Sequence, residues 1–212
     1  MSSWAEILLQ NMVEPDDSIA SWTGNFKNCV TCAAIGAKDF SLGTKVEGGK
    51  HSGFWGAACT TAEGDLGVDT ELAWSKVWAE DQDREIMQDD GSEVPVKIVE
   101  YQTILNAITH DLAKGPLPNG LWIGSNKHTI PSKQQEEGDN KEINYLVMNA
   151  ARKGKQGFAI VVSDYHLAGK ALLVVGGYSE NDGVPFSMAV RVCIDMCKWA
   201  QSEGMDQSPE IQ

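Results

Sequence analysis

Cysteine and histidine are the residues best equipped for chemistry in this chain, and their spacing decides whether they perform any. Cys29-Val30-Thr31-Cys32 has the C-x-x-C form of a dithiol centre or of half a zinc site. The surrounding run, CVTCAAIGA, reads as a buried strand, and residues three apart on a strand point to opposite faces. The two sulfurs therefore diverge, and no second pair completes a zinc site. Cys193 and Cys197 share one helical face with no His or further Cys beside them, so they too are expected in the core. Gly48-Gly49-Lys50-His51 resembles a phosphate loop only superficially. That motif needs a Gly at position 44 and a hydroxyl at position 51, where this chain has Thr44 and His51. The acidic run 80–93 fails as a calcium loop: counted from Asp81, the required Gly and Glu positions are Ile86 and Ser92. It is expected to be a solvated acidic hairpin. The four histidines, His51, His110, His128 and His166, lie far apart without ligand spacing. No catalytic, metal-binding or cofactor-binding residue is nominated, and the chain is not expected to be an enzyme.

The elements that would position any site follow from periodicity. Ser3-x-x-Glu6 is a capping box, and Trp4, Leu8 and Met12, with Ile7 beside them, predict a short amphipathic helix closed by Pro15. Residues 15–27 read as an irregular connection. Strands are predicted over 29–37 and 54–60 as an antiparallel pair, with a Gly- and Lys-rich loop over 38–53. Thr70 or Asp69 caps a helix carrying Leu72, Trp74, Val77 and Trp78. Asp90-Gly91 turns a hairpin between 85–87 and 94–98, and Tyr101, Ile104, Leu105, Ile108 and Leu112 mark a helix stopped by Gly115 and Pro116. Short strands follow at 121–123, 127–130 and 143–149, separated by a polar surface loop over 131–142.

Residues 150–156 form a basic turn into a hairpin, 158–163 with 171–175, rich in Val, Ile and Phe. Apolar residues occupy both parities of its second strand, which places that strand at the middle of a sheet covered on both sides. A final helix carries Met188, Val192, Met196 and Trp199, stops at Gly204, and leaves 205–212 as a frayed tail. Neighbouring strands joined by short turns predict an α+β fold with an antiparallel sheet.

With 30 acidic and 17 basic residues, net charge −13, bulk charge disfavours nucleic-acid or anionic-membrane binding. No apolar run reaches the roughly 20 residues that span a bilayer, and the N-terminal stretch has no signal-peptide pattern. Five scattered cysteines fit reduced thiols, so a cytoplasmic location is expected. Trp4, Trp55 and Trp199 have two readings. They pack the terminal helices on the sheet, or they stand as surface ridges for a polyproline II ligand.

The order of motifs is similar to that of the profilins, especially those of apicomplexan parasites and their alveolate relatives. It is carried over about residues 72–204. The matching motifs are Trp74-Ser75-Lys76 before the acidic hairpin, Gln102-Thr103-Ile104, and Pro118-Asn119-Gly120-Leu121-Trp122-Ile123-Gly124. Asn144–Asn149 leading to Ala151-Arg152-Lys153-Gly154, then Leu172–Tyr178, complete the series. The resemblance implies one domain over 1–204 with a six- or seven-stranded antiparallel sheet. Terminal helices would lie on one face and two further helices on the other. The acidic hairpin at about 80–98 and loops at about 38–53 and 131–142 would be insertions. It implies a monomeric, non-enzymatic binder of monomeric actin at the cytoskeleton, which sequesters monomers and delivers them to barbed ends. Proline-rich proteins such as formins, and phosphoinositides, are its further candidate partners.

By position, the polyproline groove would comprise Trp4, Ile7, Trp55, Met196 and Trp199. Ile7 and Met196 stand where the family often carries Tyr. The actin face would comprise Arg152, Lys153, Lys155, Phe158 and Lys170, whose positive charges would chiefly accelerate encounter with an acidic partner. Two other readings compete. One is a ligand-sensing domain of PAS or GAF type, which predicts an enclosed apolar pocket. The other is an enzyme working through Cys29 and Cys32.

Overall fold

Two strands rich in Val, Ile and Leu, β11 (Gln156–Ser163) and β12 (Leu172–Ser179), pair antiparallel at the middle of an eight-stranded sheet. This computed structural model describes residues 3–14, 29–40, 45–46, 50–51, 53–60, 66–87, 90–138, 143–166 and 171–204. The expected connection at 15–27, the tail at 205–212 and Lys170 lie outside the described residues. So does much of the loop at 38–53, where β2 (Lys45–Val46) and β3 (Lys50–His51) form a small separate pair.

Every residue of β12 is buried, as two covered faces require. On its far side lie β1 (Cys32–Ala37), β4 (Gly56–Thr60) and the edge strand β5 (Leu66–Val68). On the near side β11 is followed by β10 (Asn144–Arg152), β9 (Asn126–Glu137) and β8 (Leu121–Ile123). Among the described residues this sheet has eight strands, against the six or seven expected. The three-residue β5 has too short a run to show alternation and was not anticipated.

Alternate side chains separate into two cores. Tyr145 and Val147 of β10 join Trp4, Leu8 and Met12 of the N-terminal segment and Val192, Cys193 and Met196 of the C-terminal helix α4 (Phe186–Ser202). Leu146 and Met148 join Trp74 and Val77 of α2 (Glu71–Val77) and Ile104 and Ile108 of α3 (Glu100–Thr109). Cys29 lies in the first cluster and Cys32 in the second, so the sulfurs do diverge. The N-terminal helix α1 (Trp4–Leu8) carries the capping box: Glu6 N–H donates to Ser3 Oγ at 3.2 Å and Ser3 N–H to Glu6 at 2.7 Å. It passes into a π-helical turn, Leu9–Val13, where the Asn11 side chain donates to Ile7 O at 2.8 Å.

The predicted polar loop at 131–142 is corrected: β9 continues as a strand to Glu137. Its ladder to β10 runs from Thr129↔Ala151 to Glu137↔Asn144 and shifts register by one residue at Ile130 and Pro131. Backbone hydrogen bonds hold this strand whatever its side chains are, so hydropathy does not reveal it. Pro131 occupies the bulge, where its missing N–H spares the ladder. The acidic hairpin, β6 (Gln82–Met87) with β7 (Glu93–Ile98), is a two-stranded ribbon outside the main sheet. Ile86 and Ile98 fasten it to Trp122, and the Arg84 guanidinium lies 5.6 Å from that indole ring. No helix among the described residues is long and apolar enough to cross a membrane.

Candidate functional site

The basic turn contracts to Lys153–Lys155, because β10 extends to Arg152 and β11 starts at Gln156. Lys155 sits in the left-handed region at φ 56° with its side chain 73% exposed. Its ammonium lies 3.9 Å from Glu180, an exposed pair that contributes little. Lys153 is exposed, Arg152 half-buried and Phe158 buried. Four of the five nominated actin-face residues therefore gather around one strand-to-strand connection. Phe158 belongs to the core cluster, so it supports that connection from beneath.

Behind the turn lies a cleft of about 390 Å³. Arg152 and Phe158 line it on one side, Thr31, Cys32 and Thr60 on another, and Ser75 and Lys76 at the end of α2 on a third. Its floor includes His128 and the β8–β9 turn at Gly124. Gly124 is required there: at φ 56° a Cβ would sit 2.5 Å from Lys76 O. The close approach brings the end of α2 to the rim.

Burial pushes the Cys32 thiol up to about 12, which favours its protonated form. His128 is buried, edge-on to Phe158, and its Nδ1 donates to Asn126 O at 2.9 Å, since a carbonyl can only accept. Burial lowers it from 6.5 to about 4, and the Arg152 charge adds to the effect. The unfolded chain therefore binds a proton at pH values where the folded chain does not. The stability this confers is present above pH 6.5 and is lost as pH falls through 4, about 3 kcal/mol in all. In a far-UV circular dichroism titration, His128→Gln should unfold at a lower pH than the unmodified chain. An unchanged acid midpoint would remove His128 from the account.

The polyproline set needs correction. Trp4 and Trp55 stack with ring centroids 5.5 Å apart but are only 2% and 4% exposed. Ile7 and Met196 are also buried, and Trp199 alone is half-exposed. The cause is close packing of α1 on β4. A Cβ at Gly56 would lie 2.8 Å from Ala5 N and 2.9 Å from Trp4 Cβ, so glycine there lets the helix sink until both indoles are covered. The packing reading of these aromatics holds, and open ridges for a polyproline ligand are absent from the described residues.

Lys76 and His128, which line the cleft, were missed as functional candidates by reading the sequence. Lys76 was visible only as part of Trp74-Ser75-Lys76, and nothing in its spacing shows that it shares a cleft with Arg152. No family model matches the chain, and a search of curated proteins finds no match either.

Proposed function

We propose that this chain is a profilin-like binder of monomeric actin, acting in the cytoplasm and using the β10–β11 turn as the core of its contact face. The observation that carries the reading is the exposed basic turn itself. Arg152, Lys153 and Lys155 cluster on a chain of net charge −13, which marks a local exception to the general field. The antiparallel sheet between two helical layers is compatible with the fold that the motif order implies. The cleft is lined by charged and polar side chains, in contrast to the enclosed apolar pocket a PAS- or GAF-type sensor needs.

Pyrene-actin assembly tests the reading. Excess protein should slow spontaneous polymerisation, and unaltered kinetics would reject actin as the partner. Lys155→Glu reverses a charge on a mostly solvated side chain, so the fold should survive while actin affinity falls by about tenfold, equivalent to about 1.4 kcal/mol. Unchanged affinity would displace the contact face from this turn. Proline-rich recruitment is confined to whatever Trp199 offers. Titration with a polyproline peptide should leave the fluorescence of the buried Trp4 and Trp55 pair unaltered.

A further inference from the structure

Two cations and one carboxylate, Asp182, line the cleft, and neither cation forms an ion pair among the described residues. Lys76 and Arg152 come from different walls, the end of α2 and the end of β10. Among the described residues, neither makes a hydrogen bond or an ion pair. Asp182 is the acidic group on the lining, and its carboxylate already accepts the Ser179 hydroxyl at 2.6 Å. His128 is held neutral, so it neither adds to the positive charge nor repels a ligand cation. Thr60 adds a hydroxyl to the lining, while those of Ser75 and Thr31 donate to Leu72 O at 2.8 Å and to Cys32 Sγ at 3.9 Å and would have to rotate to reach a ligand. The volume of about 390 Å³ falls in the range of small-molecule clefts, roughly 300–1,000 Å³.

We infer that this cleft is a binding site for a soluble phosphate monoester, with Arg152 of β10 and Lys76 of α2 both serving the phosphate. A guanidinium matches phosphate oxygens two at a time, and an ammonium adds a compact charge with three donors. Phe158 supplies an apolar surface for the organic part of the ligand. The neutral His128, with Nδ1 occupied by Asn126 O, keeps Nε2 as an acceptor for a ligand hydroxyl. Phosphate is favoured over a simple carboxylate because its greater negative charge and third oxygen suit two cations on separate elements. The inference does not rest on the actin reading, although Arg152 belongs to both, because calorimetry on the isolated chain tests it without actin.

Isothermal titration calorimetry at fixed ionic strength tests it, with inorganic phosphate and glycerol 3-phosphate as probes and chloride as the control. The expected result is saturable single-site binding, tighter for the ester. Arg152→Gln and Lys76→Gln should each weaken it by at least about tenfold with melting temperatures unchanged, and Arg152→Lys should retain part of the affinity. Absence of saturable heat, or binding by both Gln variants as tight as by the unaltered protein, would overturn the inference. So would binding seen only with phosphatidylcholine vesicles doped with a phosphoinositide, because the ligand would then be a lipid surface.

Discussion

Replacing Glu100 with Ala is expected to remove about 3–5 kcal/mol of folding stability, the largest single effect anticipated in this chain. Its carboxylate is buried at the start of α3 and accepts three backbone N–H groups. Ala79 donates at 3.0 Å and Gly124 at 2.9 Å to Oε2, and Ser125 at 2.7 Å to Oε1. These donors belong to two segments far apart in sequence, the exit from α2 and the β8–β9 turn. One side chain therefore closes a buried junction that no secondary structure could satisfy. Burial pushes Glu100 up to about 7 while the three N–H groups pull the other way, so urea denaturation at pH 8 compares ionised forms. Glu100→Gln keeps the shape but offers one acceptor oxygen, and should fall between wild type and Ala. A loss below about 1 kcal/mol for Glu100→Ala would mean that water replaces the carboxylate at the junction.

Lys133→Met should cost about 2–3 kcal/mol. From the middle of β9, the Lys133 ammonium donates to three carbonyls at the end of α3: Ala107 at 3.0 Å, Ile108 at 2.6 Å and His110 at 2.7 Å. A helix leaves its last carbonyls unpaired, and a cation there also meets the negative end of the helix dipole. Partial burial lowers the Lys133 pKa, the direction expected when charge is drawn from water. Methionine preserves the stem and removes all three donors. Amide exchange around residues 106–110 should accelerate together with the fall in urea midpoint. Global loss without local fraying would place the effect elsewhere.

Much of the architecture was legible because it depends on local chemistry. The capping box at Ser3 and Glu6, the Asp90-Gly91 turn, the stripe of α4 and the doubly apolar β12 are each set by residues within one or two turns of each other. Trp4 and Trp55 were legible as aromatics of neighbouring elements, but which of the two readings, packing or open ridge, applied was not. Their exposure depends on how closely α1 approaches β4, which Gly56 controls from another part of the chain. The candidate cleft was legible only in part. The Arg152 turn is written as a cluster of charges, whereas Lys76 reaches the same place through the fold of Gly124 against α2. Strand β9 was missed beyond Ile130 because a ladder of main-chain bonds needs no apolar side chains.

That same stretch, Ser132 to Glu137, pairs with β10 on one side, while β8 pairs with β9 only from Asn126 to His128. Its other backbone edge has no strand partner among the described residues, the condition that lets sheets grow from one molecule to the next. The side chains along it discourage this. Lys133 is turned onto α3, and Glu136 and Glu137 bring negative charge to the open end. Two copies meeting there would also carry the general repulsion of chains at −13. The polar run that hid the strand from hydropathy thus also makes this edge a poor template for a second strand.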